Sequence, residues 1–182
     1  MNEGQRLGKI VKIAFTAMIV AFVGFLAYNK LGVFSVNENL AKPKSRIAST
    51  EISYVLRDSV VDFGMKYLGS PYVVAGAGEK GFDCSGFVYF VYRHFNINVP
   101  RSSSEFASFG VEIPIDQIEK GDILLFLSPT RNVIGHIGIV LDGNGKNSNF
   151  IHASSGREMK VIISNVATKG YVNRFVKAIR VI

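Results

Sequence analysis

Four side chains of this 182-residue chain could together break an amide bond: its single cysteine, Cys84, and its three histidines, His94, His136 and His152. A lone cysteine cannot close an intrachain disulfide, so its thiol is buried, paired with another chain, or reactive. The setting favours reactive. Phe87, Val88, Val91 and Phe95 recur at helical spacing behind Cys84, and Asp83 before it is a suitable N-cap. Cys84 then falls in the first turn of a helix, where the dipole and unpaired backbone N–H groups stabilise a thiolate and depress its pKa. A thiolate that cleaves an amide also needs a proton for the leaving amine, and near neutral pH histidine supplies it.

His136 lies in Gly135-His136-Ile137-Gly138-Ile139-Val140, a strand pattern whose flanking glycines admit close approach. His152 lies in Phe150-Ile151-His152-Ala153, and the stretch Asp142-Gly143-Asn144-Gly145-Lys146-Asn147 between them is rich in turn residues. A hairpin centred on Asn144 sets His136 and His152 directly opposite one another on one face, close enough for one ring to orient the other. The triad expected from this is Cys84 as nucleophile, His136 as base and acid, and His152 as orienter. His94, three residues past Val91 and beside Arg93, is expected at the surface. None of the short-range ligand spacings of common zinc motifs is present, and neither a metal nor a cofactor is expected.

The elements that must carry these groups read as helices first and strands later. Ile52, Val55, Leu56, Val60 and Phe63 give a helix over about 51–68, ended by Gly69 and Pro71. A second helix begins at Cys84. Ser102-Ser103-Ser104-Glu105 has capping-box spacing and opens a short helix with Phe106 and Phe109, closed by Gly110. Strands follow at 123–127, 136–141, 150–153, 161–164 and 175–182. This segregation predicts an α+β domain, with N-terminal helices packed on an antiparallel β-sheet.

The formal charge of +7 resides mostly outside that domain. Residues 1–49 hold seven Lys or Arg against two acidic residues, a net +5, which leaves +2 for the rest. A nearly neutral folded part argues against nucleic-acid binding, which needs clustered basic side chains. Arg6, Lys9 and Lys12 precede Ile13 to Tyr28, 16 residues without formal charge. That run gives roughly 24 Å of helix, between a signal-peptide core and a full membrane span. The expected organisation is a basic tail (1–12), a hydrophobic helix acting as anchor or signal (13–34), a linker (35–49) and one domain (50–182). The basic tail should stay in the cytoplasm and place the domain outside it. Lipid attachment through a cysteine of the N-terminal segment is excluded, because the sole cysteine is Cys84.

Over about residues 50–182 the chain resembles the NlpC-type cysteine peptidases, papain-like enzymes of bacterial envelopes. The likeness rests on Tyr67-Leu68-Gly69-Ser70-Pro71-Tyr72, Gly81-Phe82-Asp83-Cys84-Ser85-Gly86-Phe87-Val88, Pro100-Arg101-Ser102-Ser103, Lys120-Gly121-Asp122-Ile123-Leu124-Leu125-Phe126, Gly135-His136-Ile137-Gly138-Ile139-Val140 and Phe150-Ile151-His152-Ala153, in that order. The resemblance implies a papain-like fold and hydrolysis of peptidoglycan stem peptides through an acyl-enzyme, typically at the bond between the γ-carboxyl of D-glutamate and the following diamino acid. It also implies that Tyr72 lies near the oxyanion. Val73 to Lys80 depart from the family, which often has Trp and paired Gly there, and this stretch should line the groove. Two other readings stand beside this one: a cysteine amidase or acyltransferase acting on another amide, and a catalytically idle module that binds stem peptides.

Overall fold

The computed structural model describes residues 42–182 together with Phe22 and Phe25. The chain divides into two compact units, Met1–Ala48 and Ser49–Ile182. In the first, Phe22 and Phe25 are helical and exposed, and the rest of the apolar run expected at 13–34 lies outside the described residues. No helix among the described residues is long and apolar enough to cross a membrane.

Helix α1 spans Lys42–Met65. It begins well before the expected start at 51, so the part of the expected linker that is described is helical. Pro43 does not prevent this, because in the first turn of a helix the missing N–H has no intrahelical partner to lose. Its buried face also differs from the expected stripe. Ile52 and Val55 are exposed, whereas Arg57, Val60, Val61 and Gly64 are buried. Gly64 lets α1 approach helix α2 (Cys84–His94): a Cβ there would already touch Phe87 and Val91 at 3.5 and 3.7 Å.

Between the helices a two-stranded hairpin, β1 (Ala77–Gly78) and β2 (Gly81–Phe82), adds elements that the sequence pattern did not show. After α2, the capping box forms as expected, with Ser102 N–H donating to the Glu105 carboxylate at 3.2 Å. The turns it opens (Ser103–Ser108) are 3-10 rather than α-helical. The main sheet comprises β3 (Val111–Ile113), β4 (Ile123–Leu127), β5 (Ile134–Val140), β6 (Asn149–Ser154), β7 (Lys160–Asn165) and β8 (Phe175–Arg180). Its order is β3-β8-β4-β5-β6-β7, with every neighbouring pair antiparallel. A short helix, α3 (Lys169–Val172), precedes β8. The α+β architecture with helices on an antiparallel sheet is therefore as the sequence predicts.

Period-2 alternation divides the strand residues between two apolar layers. Ile123, Leu125, Ile137, Ile139 and Ile151 pack under the helices with Phe82, Phe87, Val88 and Val91. Leu124, Phe126, Val140 and Phe150 form the opposite layer, with Tyr171 and Phe175 packed against it. Burial on both faces explains why β4 reads as an unbroken apolar run.

Beyond the sheet core, Asp122 is fully buried and accepts from Arg57 Nη1 at 3.1 Å and from Arg180 Nε and Nη2 at 2.9 and 2.8 Å. This ties α1 to the start of β4 and the end of β8. Removing Asp122 would take from buried Arg57 its nearest carboxylate, and breaking a buried pair in this way costs about 3–5 kcal/mol.

Candidate active site

Cys84 is the first residue of α2, and Asp83 is its N-cap, accepting from Gly86 N–H at 2.6 Å. Two close approaches fix this turn. A Cβ on Gly86 would lie 1.9 Å from Gly76 O, so only glycine lets the 73–78 loop pass over the helix start. Arg101 then clamps loop to helix: it donates to both Asp83 oxygens at 2.9 Å, to Ser85 Oγ at 3.2 Å and to Ala75 O at 2.9 Å. Ala75 itself has φ +59, a left-handed conformation unusual for a residue with a Cβ. This clamp is not legible along the chain, because the partners of Arg101 lie 16 to 26 residues upstream of it.

The thiol of Cys84 is half-buried and lies 3.8 Å from Gly135 O, with the Ile137 N–H also directed at it. Both groups belong to β5 and flank His136. The ladder between β5 and β6 is only two pairs long, Ile139↔Ile151 and Val140↔Phe150. The sulfur therefore sits beside the stretch of β5 that this short ladder leaves without a β6 partner.

That register is centred on Gly145 rather than Asn144, which corrects the expected direct pairing of the two histidines. Extended by one residue on each strand it sets His152 opposite Gly138, and a Cβ on Gly138 would stand 3.0 Å from the His152 Cβ. His136 is thus a diagonal neighbour of His152. The face is unchanged, since a shift of two residues preserves side-chain parity. With no side chain at Gly138, the rings meet across the gap: His136 Nε2 and His152 Nδ1 are 2.9 Å apart, and the rings are edge to face. On its far side His152 Nε2 meets Ser164 Oγ at 3.0 Å and Tyr171 Oη at 3.2 Å.

Burial shapes the electrostatics. His136 is driven well below the ordinary imidazole range, first by burial and then by His152 and Arg174. His152 is lowered to about 4, chiefly by burial. Both rings are neutral at neutral pH. The Cys84 thiol is raised, contrary to the expected depression: burial is the largest cause and the Asp83 carboxylate the next, opposed by the N–H groups of Ser85, Ile137 and Cys84. The helix terminus does act on the sulfur, but desolvation and the N-cap charge outweigh it.

Tyr72 is half-buried, with its N–H donating to Met159 O at 2.9 Å. Its phenol is raised by burial, then by the charges of Cys84 and Asp83, and is hydrogen-bonded to the Ser155 hydroxyl. The fold thus places the Tyr72 phenol within the electrostatic reach of Cys84. His94 is exposed and stacks on Phe63 at 3.7 Å between centroids. Ten residues of helix, roughly 15 Å, separate it from Cys84. No group of three or more His, Cys, Asp or Glu able to hold a metal occurs among the described residues.

A neutral thiol, two linked neutral imidazoles and a nearby phenol form a set suited to acyl transfer by general-base-assisted attack. Known proteins share the scaffold. A γ-D-glutamyl-L-lysine dipeptidyl-peptidase from Bacillus cereus is 33% identical over 124 residues, 68% of this chain and 36% of that protein. A murein DD-endopeptidase/LD-carboxypeptidase from Escherichia coli is 30% identical over 128 residues, 70% of this chain and 64% of that protein. The chain spans about a third of the length of the Bacillus relatives. The crystal structure of an NlpC/P60 family protein from Bacillus cereus superposes with a TM-score of 0.62 at 32% identity, covering 69% of this chain and 40% of that one. The NlpC/P60 family model matches residues 69–180, which include Tyr72, Cys84, His136 and His152, and the chain belongs to the NlpC/P60 family.

Proposed function

We propose that this chain is a cysteine peptidase that hydrolyses peptide bonds in peptidoglycan stem peptides. The observation that carries the reading is the meeting of the Cys84 thiol with the two backbone groups that flank His136, while His136 and His152 are hydrogen-bonded at 2.9 Å. The names of the relatives supply the substrate class.

In this reading the resting pair is a neutral thiol and a neutral imidazole, so proton transfer accompanies attack instead of preceding it. His136 Nδ1 takes the Cys84 proton as the sulfur adds to the scissile carbonyl. The Cys84 N–H and the Tyr72 hydroxyl donate to the oxygen that becomes negative; the raised phenol keeps its proton for this. His136 returns the proton to the leaving amine, giving a thioester acyl-enzyme. Water, deprotonated by the same nitrogen, then releases the acid and restores the thiol.

The bond we assign is that between the γ-carboxyl of D-glutamate and the next diamino acid, as the Bacillus relatives' names favour. The Escherichia coli relative's name favours crosslinks or terminal residues instead, which makes these the second reading. The basic tail and apolar run at 1–34 support a domain tethered outside the cytoplasm.

Purified muropeptides incubated with the protein and read by mass spectrometry test all of this. Products split after D-glutamate, with Cys84→Ala reducing hydrolysis to background, are expected. Hydrolysis that survives Cys84→Ala overturns the mechanism, and binding of stems without any product favours the idle module.

A further inference from the structure

His152 is fully buried, and as a neutral ring it has one proton to place between two nitrogens that both face polar partners. The placement decides what His136 can do. With the proton on Nε2, His152 Nδ1 is an acceptor, His136 donates to it from Nε2, and His136 Nδ1 keeps a lone pair for the Cys84 proton. With the proton on Nδ1, His152 is the donor, the His136 proton moves to its own Nδ1, and the base is lost.

We propose that Ser164 and Tyr171 are positioning residues that hold the His152 proton on Nε2 and thereby keep His136 in its basic tautomer. The proposal rests on the reading of His136 as general base. Two hydroxyl oxygens converge on one nitrogen, at 3.0 and 3.2 Å. An N–H can be shared between two acceptors, whereas a bare nitrogen has one lone pair and leaves the second hydroxyl proton without a use there.

Both oxygens are placed by rigid features. The β6–β7 register pairs His152 with Ile162 and Phe150 with Ser164, so Ser164 is the diagonal neighbour of His152 on the same face. Tyr171 comes from α3, and its ring packs edge to face on Phe150 at 4.9 Å and Phe126 at 5.3 Å. Arg174 lies over the Tyr171 ring at 5.3 Å and donates to Leu127 O and Gly170 O, which fixes α3 against the end of β4. The charged and titratable groups acting on His152 are Arg174, His136 and Tyr171. The Arg174 charge and burial together disfavour a second proton on His152, which keeps tautomer choice, not charge, as the variable.

Two-bond proton–nitrogen NMR correlations on the 15N-histidine-labelled chain report each tautomer directly, with exposed His94 as internal reference. The expected wild-type result is His152 protonated at Nε2. Ser164→Ala with Tyr171→Phe should move the proton towards Nδ1 and lower kcat about tenfold or more with KM little changed, the scale of losing an orienting partner. Ser164→Thr alone, which retains both hydroxyls, should leave both readouts as in wild type.

A wild-type His152 protonated at Nδ1 overturns the proposal, and so does a double alanine–phenylalanine variant with unchanged tautomer and kcat. The wild-type spectrum decides even if that variant does not fold. Absence of stem-peptide hydrolysis by wild type would remove the functional reading while the tautomer result still stood.

Discussion

Cys84 has the same carboxylate beside it that starts its helix. Asp83 caps α2 and simultaneously disfavours the thiolate, and Arg101 is the compensating charge: it binds both Asp83 oxygens and is itself favoured by negative charge at Cys84. Arg101→Met should therefore leave Asp83 uncompensated and push the thiol further up. Because Cys84 is the sole cysteine, the pH dependence of iodoacetamide alkylation reads this group alone. An upward shift of its midpoint, with slower alkylation at pH 7, is expected; an unchanged midpoint would mean that Asp83 is screened without Arg101. At this scale the helix start at Cys84, its N-cap Asp83 and the common face of the two imidazoles were legible in the sequence. It misjudged the sign of the thiol's shift, because burial is a property of the assembled cleft.

Among the elements, the separation of β5 from β6 matters most for the site. A ladder of two pairs brings the strands together above and leaves room below for the sulfur and two rings. Gly138 keeps that room open, since a Cβ there would lie 2.5 Å from Phe150 Cδ2 and 3.0 Å from both His152 Cβ and Ile151 O. Gly138→Ala should wedge β6 away and break the contact between the histidine rings. The expected outcome is a loss of about 1–3 kcal/mol in denaturant unfolding, typical of overpacking, together with at least about a tenfold fall in kcat. Retention of full activity would show that the rings need not meet. The turn residues at 142–147 made a hairpin legible, but its centre was not, because the 3-10 turn at Gly145–Asn147 takes up residues that a tight turn would not. The early start of α1 was hidden for a related reason: a stretch with no apolar period gives no pattern to count.

For the whole molecule, the buried histidines make stability depend on pH. An unfolded histidine takes a proton near 6.5, while His152 resists protonation until about 4 and His136 is lowered in the same sense. The unfolded chain thus binds more protons between these values, and stability, complete above about 6.5, declines as pH falls towards 4. At about 1.4 kcal/mol per unit, His152 alone accounts for a loss of up to about 3 kcal/mol. Urea midpoints measured from pH 7.5 to 4 should fall accordingly, and His152→Gln should flatten the slope; equal slopes in both proteins would remove the assignment. The sequence by itself determined the α+β order of elements, the helix start at Cys84, the face shared by His136 and His152 and the family likeness, because each follows from local spacing and parity. Only the tertiary structure decided that the rings pair diagonally across Gly138, that Ser164, Tyr171 and Arg101 contact the site's side chains, and that burial raises the thiol. These depend on which residues distant in sequence become neighbours and on how much water they exclude, and no spacing along the chain encodes either quantity.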